Sequence, residues 1–113
     1  MPIGVDIEDI ERFRGKSEDF LKRIFTPAEL EYCLKFSEPE SHLTARFCAK
    51  EAVIKALTPL GINIAEYNKI EVFSDDNKYP QIRILKDLNK NIKFDISLSH
   101  DKTKAIAFVI AQI

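Results

Sequence analysis

The 113-residue sequence has no apolar run approaching the roughly 20 residues that a membrane-spanning helix needs. Asp6, Glu8 and Asp9 interrupt the start of the chain, where a secretory signal would require a continuous apolar stretch. A cytoplasmic protein with no membrane partner is expected. Cysteine is scarce. Cys33 and Cys48 each fall within a predicted helix, and neither belongs to a CxxC or Cys/His ligand spacing. That argues against a disulfide framework and a zinc site and for reduced, partly buried thiols. Net charge is almost absent at −1, which excludes strong nonspecific attraction to nucleic acid. No internal repeat, low-complexity tract or linker breaks the chain. With 45% hydrophobic and 31% charged residues, residues 1–113 are expected to form one globular domain around one core.

The pattern along the chain opens as a strand, turns helical, and changes back to strand period after Gly61. Ile3, Val5 and Ile7 alternate as one face of a short opening strand, which places Gly4 and Asp6 together on the other. Ile10 to Arg14 reads as a short helical or turn segment, and Phe20, Leu21, Ile24 and Phe25 stand at helical spacing. Thr26-Pro27-Ala28-Glu29 then supplies an N-cap, a proline at the first helical position and a capping-box glutamate, with Phe25 and Leu30 spaced as a hydrophobic staple. A helix is predicted from Pro27 to about Phe36, and a second from about His42 to Leu57, ended by Thr58-Pro59-Leu60-Gly61. Strands follow at Ile70 to Phe73, at Tyr79 to Leu85 after an Asp75-Asp76-Asn77-Lys78 turn, and at Ile92 to Leu98. Pro80 favours an edge or strand-start position. The last strand, Ala105 to Ala111, is apolar on both faces, so it is expected to be central or to meet another subunit. Helices in the first half and an antiparallel sheet in the second make an α+β domain, with the opening strand returning to that sheet or to its edge.

Chemistry concentrates on the second long helix. Glu51 and Lys55 lie one turn apart on one stripe with Thr44 and Cys48, and Arg46 and Lys50 form an adjacent stripe, while Leu43, Phe47, Ile54 and Leu57 supply the apolar face. Such a helix can aim a carboxylate and several cations at one anionic ligand. Glu followed four residues later by Lys is equally a common surface pair. Asp6 adds a second carboxylate on a strand, where Asp is disfavoured; a solvated outer face or a cap for the next segment would also account for it. Near the front, Arg12, Arg14, Lys16, Lys22 and Arg23 are interleaved with Glu11, Glu18 and Asp19, which reads as a mixed-charge surface or as a patch for an acidic partner. Ser99 and His100 are adjacent on a strand and point to opposite faces, so they do not form a nucleophile and base pair.

Four ordered blocks carry a resemblance: Gly4-Val5-Asp6-Ile7 with Ile10 and Arg12, Phe25-Thr26 to Glu29-Leu30, Arg46-Phe47 to Lys50-Glu51-Ala52 with Lys55-Ala56, and Ile96-Ser97-Leu98-Ser99-His100 before an apolar final strand. Together they resemble the small bacterial holo-acyl-carrier-protein synthases, a phosphopantetheinyl transferase family. The resemblance implies that family's fold, a homotrimer, and transfer of 4′-phosphopantetheine from coenzyme A to a serine of an apo acyl-carrier protein, releasing adenosine 3′,5′-bisphosphate. It implies Asp6 and Glu51 as Mg²⁺ ligands, Lys55 as a catalytic contact to the pyrophosphate, and Arg46, Lys50 and His100 as further coenzyme A phosphate contacts. Glu51 would also take the serine proton, directly or through a bound water. Arg12, Arg14 and Arg23 would steer the carrier protein, with Phe20 or Phe25 as an apolar anchor. A noncatalytic protein of the same fold that binds coenzyme A or a carrier protein is the alternative. Thr58-Pro59-Leu60-Gly61-Ile62-Asn63 departs from the glycine-rich turn common in the family.

Overall fold

Two separate antiparallel sheets flank one long helix. The computed structural model describes residues 1–74 and 79–113, and the expected turn at Asp75-Asp76-Asn77-Lys78 lies outside the described residues. The order is β1 (Ile3–Asp9), a 3-10 turn at Ile10–Phe13, α1 (Glu18–Ile24), α2 (Pro27–Cys33), α3 (Pro39–Leu57), β2 (Ile70–Ser74), β3 (Pro80–Ile84), β4 (Lys93–His100) and β5 (Lys104–Gln112). The single sheet expected from the second half is corrected to a β2-β3 hairpin and a three-stranded sheet ordered β1-β5-β4. β5 is central in the strand order, as expected, although its Ile106 and Phe108 face stays exposed, and β1 returns to pair with it.

The capping box of α2 forms as expected: Glu29 N donates to Thr26 Oγ1 (3.2 Å), and Thr26 N donates to Glu29 Oε1 (2.9 Å). α2 stops at Cys33, short of the expected Phe36, whose ring leaves the helix and stacks on His42 at 3.7 Å. α3 begins earlier than expected because Pro39 fits its first turn.

Small residues decide which face of β1 is the inner one, left open by the alternation, and overturn the single apolar face expected of α3. Ala52 and Ala56 line a flank of α3 that packs on β1 and β5, and Ala105, Ala107, Val109 and Ala111 line the inner face of β5. Elements bearing such short side chains approach closely. A Cβ added at Gly4 would lie 1.9 Å from the Ala52 carbonyl oxygen, so only glycine permits this contact. Hence the Gly4 and Asp6 face of β1 is the inner one, and Ile3, Val5 and Ile7 project outward, more than 45% exposed. α3 is likewise not a one-sided amphipathic helix. The Thr44 and Cys48 stripe is buried, with Cys48 Sγ 3.4 Å from the Ala105 carbonyl. Burial pushes the Cys33 thiol up to about 11 and the Cys48 thiol up to about 12, which keeps both unreactive.

A second cluster of Phe13, Leu21, Ile24, Phe25, Cys33, Leu43 and Phe47 fixes α1 and α2 on the other flank of α3. Phe13 is its hub, with ring centroids 5.5 Å from Phe25 and 5.2 Å from Phe47. Phe25 is only 1% exposed, so its reading as a docking anchor is withdrawn.

Candidate active site

The Gly4–Ala52 contact presses β1 onto α3 beside the residues that carry the chemistry. Asp6 follows Gly4 on the same strand face, and Glu51 precedes Ala52 on the helix. Lys55 joins the two elements: its Nζ donates to the Val5 carbonyl (3.0 Å) and to Asp6 Oδ1 (3.3 Å). It is therefore not held in the surface Glu51 pair that spacing also allowed. Glu51 Oε1 instead accepts a hydrogen bond from the Tyr67 hydroxyl at 2.5 Å.

Negative charge is under-compensated here. Asp6 Oδ2 is buried and has no hydrogen-bond partner among the described residues. Glu8 shares the inner face of β1, and burial, then the neighbouring Asp6, hold its carboxyl above the usual carboxylate range, although Arg12 Nη1 donates to it at 2.9 Å. Tyr67 is pushed up to about 12, first by its hydrogen bond to Glu51 and then by burial and the charges of Glu51 and Asp6. An orphaned carboxylate oxygen facing inward beside other carboxylates fits a hard cation. Among the described residues no group of three or more His, Cys, Asp or Glu side chains forms a cage. The donor set thus suits an ion such as Mg²⁺, which takes one or two carboxylates and completes its shell with phosphate oxygens and water.

Positive charge gathers at the opposite end of α3. The Arg46 guanidinium stacks 4.2 Å from the Tyr32 ring centroid, is 6% exposed, and its Nε has no hydrogen-bond partner among the described residues. His42 lies close enough to Arg46 and His100 that their charges, after burial, hold its pKa below the ordinary value. His100 is exposed at the end of β4, where Asp101 Oδ1 tightens the turn by accepting from Thr103 N and Lys104 N, both at 2.8 Å. A groove of about 650 Å³ runs between the start of α3 and this turn, lined by Arg14, Glu38, Glu40, Ser41, His100 and Lys102 among others.

One expectation is corrected. Lys50 does not reach a ligand, because it is fully buried and its donors are consumed inside the protein. Its Nζ donates to Glu29 Oε1 (2.7 Å), to the Tyr67 carbonyl (3.0 Å) and to the Ile70 carbonyl. Glu29 also accepts from Val72 N at 2.8 Å, and Thr26 Oγ1 donates to Glu71 Oε2 at 2.7 Å. This network ties α2, α3 and β2 together.

The expected docking residues fall on the outside of the second cluster. Phe20 is half-buried 6.3 Å from Phe13, with Lys16 over its outer face. Arg14 is exposed and pairs with Glu11 at 3.0 Å, and Arg23 is exposed on α1. Arg12 stands apart: its guanidinium lies over Phe47 at 4.7 Å and turns toward Glu8 at the edge of the carboxylate site. Reasoning from the sequence missed Glu8, His42 and Tyr67. Glu8 could have been found by period-two spacing from Asp6, whereas Tyr67 lies in a loop whose approach to α3 has no local signal.

The fold and site can be set beside known proteins. Residues 2–110 match the family model of the 4′-phosphopantetheinyl transferase superfamily. A holo-[acyl-carrier-protein] synthase of Thermodesulfovibrio yellowstonii is 40% identical, over 96% of this chain and 95% of that protein. Among solved structures, the holo-(acyl-carrier-protein) synthase of Bacillus anthracis in complex with coenzyme A (3′,5′-ADP) superposes with a TM-score of 0.80 at 30% identity, covering 97% of this chain and 94% of that one. The Helicobacter pylori holo-[acyl-carrier-protein] synthase in complex with coenzyme A gives a TM-score of 0.78 at 27% identity, over 97% and 99%. The α+β arrangement is that of these enzymes.

Proposed function

Because the chain belongs to the 4′-phosphopantetheinyl transferase superfamily and is such a transferase, we propose that it moves 4′-phosphopantetheine from coenzyme A to a serine hydroxyl of an apo acyl-carrier protein in a Mg²⁺-dependent reaction. The whole of 1–113 acts as the transferase domain, in the cytoplasm. The observation that carries this reading is the buried Asp6 Oδ2, without a hydrogen-bond partner among the described residues, on a strand tied to α3 by Lys55. A protein with a merely solvated helix face would have no reason to bury that oxygen unpaired.

In the reaction the serine oxygen forms a bond to the phosphorus that bears pantetheine. The bond from that phosphorus to the bridging pyrophosphate oxygen breaks, and adenosine 3′,5′-bisphosphate leaves. Asp6 and Glu51 would hold Mg²⁺, which supplies charge neutralisation at the pyrophosphate when bound. Lys55, fixed by the Val5 carbonyl and Asp6 and still half-exposed, places its ammonium against the phosphate oxygens and stabilises charge on the leaving side. Glu51 accepts the serine proton. Arg46 and His100 take the remaining coenzyme A phosphate, and His42 joins them. Burial first, and then the charges of Arg46 and His100, lower the His42 pKa, and a bound anion would oppose that charge effect.

Arg14, Arg23 and Phe20 form the docking face for an acidic carrier protein, with Arg12 at the junction of that face and the carboxylates. Ile3, Val5 and Ile7 of β1 lie beside Ile110, Phe108 and Ile106 of β5 on the outer face of the sheet. This contiguous apolar surface is covered by neighbouring copies in a homotrimer.

The test is intact-mass analysis of an apo acyl-carrier protein incubated with coenzyme A, Mg²⁺ and this enzyme. A phosphopantetheine mass gain is expected, and it should be lost with Asp6→Asn and with Glu51→Gln. No gain across several carrier proteins would favour a noncatalytic binder.

A further inference from the structure

Tyr67 lies outside all four sequence blocks that mark the site, yet its hydroxyl makes the one hydrogen bond recorded for the Glu51 carboxylate among the described residues. The loop that carries it is fixed at both ends of the side chain. The Tyr67 carbonyl accepts from the buried ammonium of Lys50, which is itself locked by Glu29. The Tyr67 ring packs against Phe47 at 5.3 Å, and the Arg12 guanidinium covers that same phenylalanine at 4.7 Å. A phenol held this way can move little, and it engages only one of the two carboxylate oxygens.

Resting on the metal role given above to Glu51, we propose that Tyr67 is a positioning residue that fixes the Glu51 carboxylate for divalent-cation binding through its hydroxyl. A half-buried glutamate with no partner still samples several rotamers, and ordering it on metal binding costs free energy. A hydrogen bond to one oxygen removes that freedom in advance and leaves the other oxygen for the ion. Outer-shell partners of metal-bound carboxylates act in this way, and their loss typically weakens metal affinity about 10- to 100-fold. The buried Lys50–Glu29 pair thereby gains a function at a distance: it holds the backbone of the residue that aims the carboxylate.

The experiment measures Mn²⁺ binding by electron paramagnetic resonance in the presence of coenzyme A, for the intact enzyme and for Tyr67→Phe, which keeps the ring packing. Thermal unfolding is followed in parallel. A Mn²⁺ dissociation constant raised about tenfold or more in Tyr67→Phe is expected, with an unchanged melting temperature, an unchanged KM for coenzyme A, and a transfer rate recovered at high Mg²⁺. Adding Tyr67→Phe to Glu51→Gln should then weaken Mn²⁺ no further, because both changes remove one interaction. An unchanged or tighter Mn²⁺ constant in Tyr67→Phe overturns the positioning role, and so does full additivity of the two substitutions. If the unaltered enzyme binds no Mn²⁺, or Asp6→Asn and Glu51→Gln bind it normally, the metal assignment itself falls and takes the positioning role with it. A purely structural role for the hydroxyl would lower the melting temperature of Tyr67→Phe and leave Mn²⁺ affinity in place, which also overturns the positioning role.

Discussion

Lys50 and Lys55 stand on the same helix, and each meets a carboxylate, but the two sites are built on opposite terms. Around Lys50 the charges are closed off: ammonium and Glu29 are both fully buried, and backbone groups of Thr26, Tyr67, Ile70 and Val72 complete the pair. Around Lys55 the charges are left open. Its ammonium is half-exposed, the pairing distance is 3.3 Å, and Asp6 keeps one oxygen buried without a partner among the described residues. The first arrangement has no capacity left for a ligand, and the second has little but such capacity. Residue type and spacing do not separate structural from functional charges. How completely each charge is satisfied does.

The sharpest way to break this contrast is Lys50→Met. Removing one partner of a buried pair strands the other charge, so unfolding stability should fall by about 3–5 kcal/mol, read as the urea midpoint. A stable Lys50→Met protein would mean that Glu29 finds another counter-charge. Next is Lys55→Met, for which the transfer rate should drop about 100-fold or more with no change in the urea midpoint, if the half-exposed cation serves the reaction as proposed and hardly the fold. If Lys55→Met unfolds as readily as Lys50→Met, the two sites are not different in kind. The smallest effect belongs to Thr26→Ala. It removes the N-cap of α2 and the hydrogen bond to Glu71 together, and should cost about 1–2 kcal/mol. Comparison with Thr26→Ser, which retains the hydroxyl, separates those losses from the lost methyl.

Much of this was legible in the residues. Thr26-Pro27-Ala28-Glu29 announced α2 because capping is local chemistry, and the doubly apolar Ala105 to Ala111 run announced a central strand. Asp6, Glu51 and Lys55 stood out by type and spacing, and the fold brings Asp6 to Lys55. What the sequence hid was direction. Ile3, Val5 and Ile7 look like a core-facing stripe, but the inner face of β1 had already been claimed by Gly4, whose missing side chain admits the helix. Lys50 looked like an active-site cation because its partner Glu29 belongs to a different helix, and its burial depends on a contact that no local pattern encodes. Tyr67 was invisible for the same reason.

The backbone contact at Gly4 also bears on heat. The two carboxylates proposed to hold the metal sit on either side of a junction where a strand and a helix touch main chain to main chain, with no pliable side chain between them. Side-chain contacts can loosen gradually as temperature rises, whereas this junction has no intermediate setting short of the strand leaving the helix. Loss of transfer activity on heating is therefore expected to coincide with global unfolding, and activity lost well below the melting temperature would show that the site softens by itself.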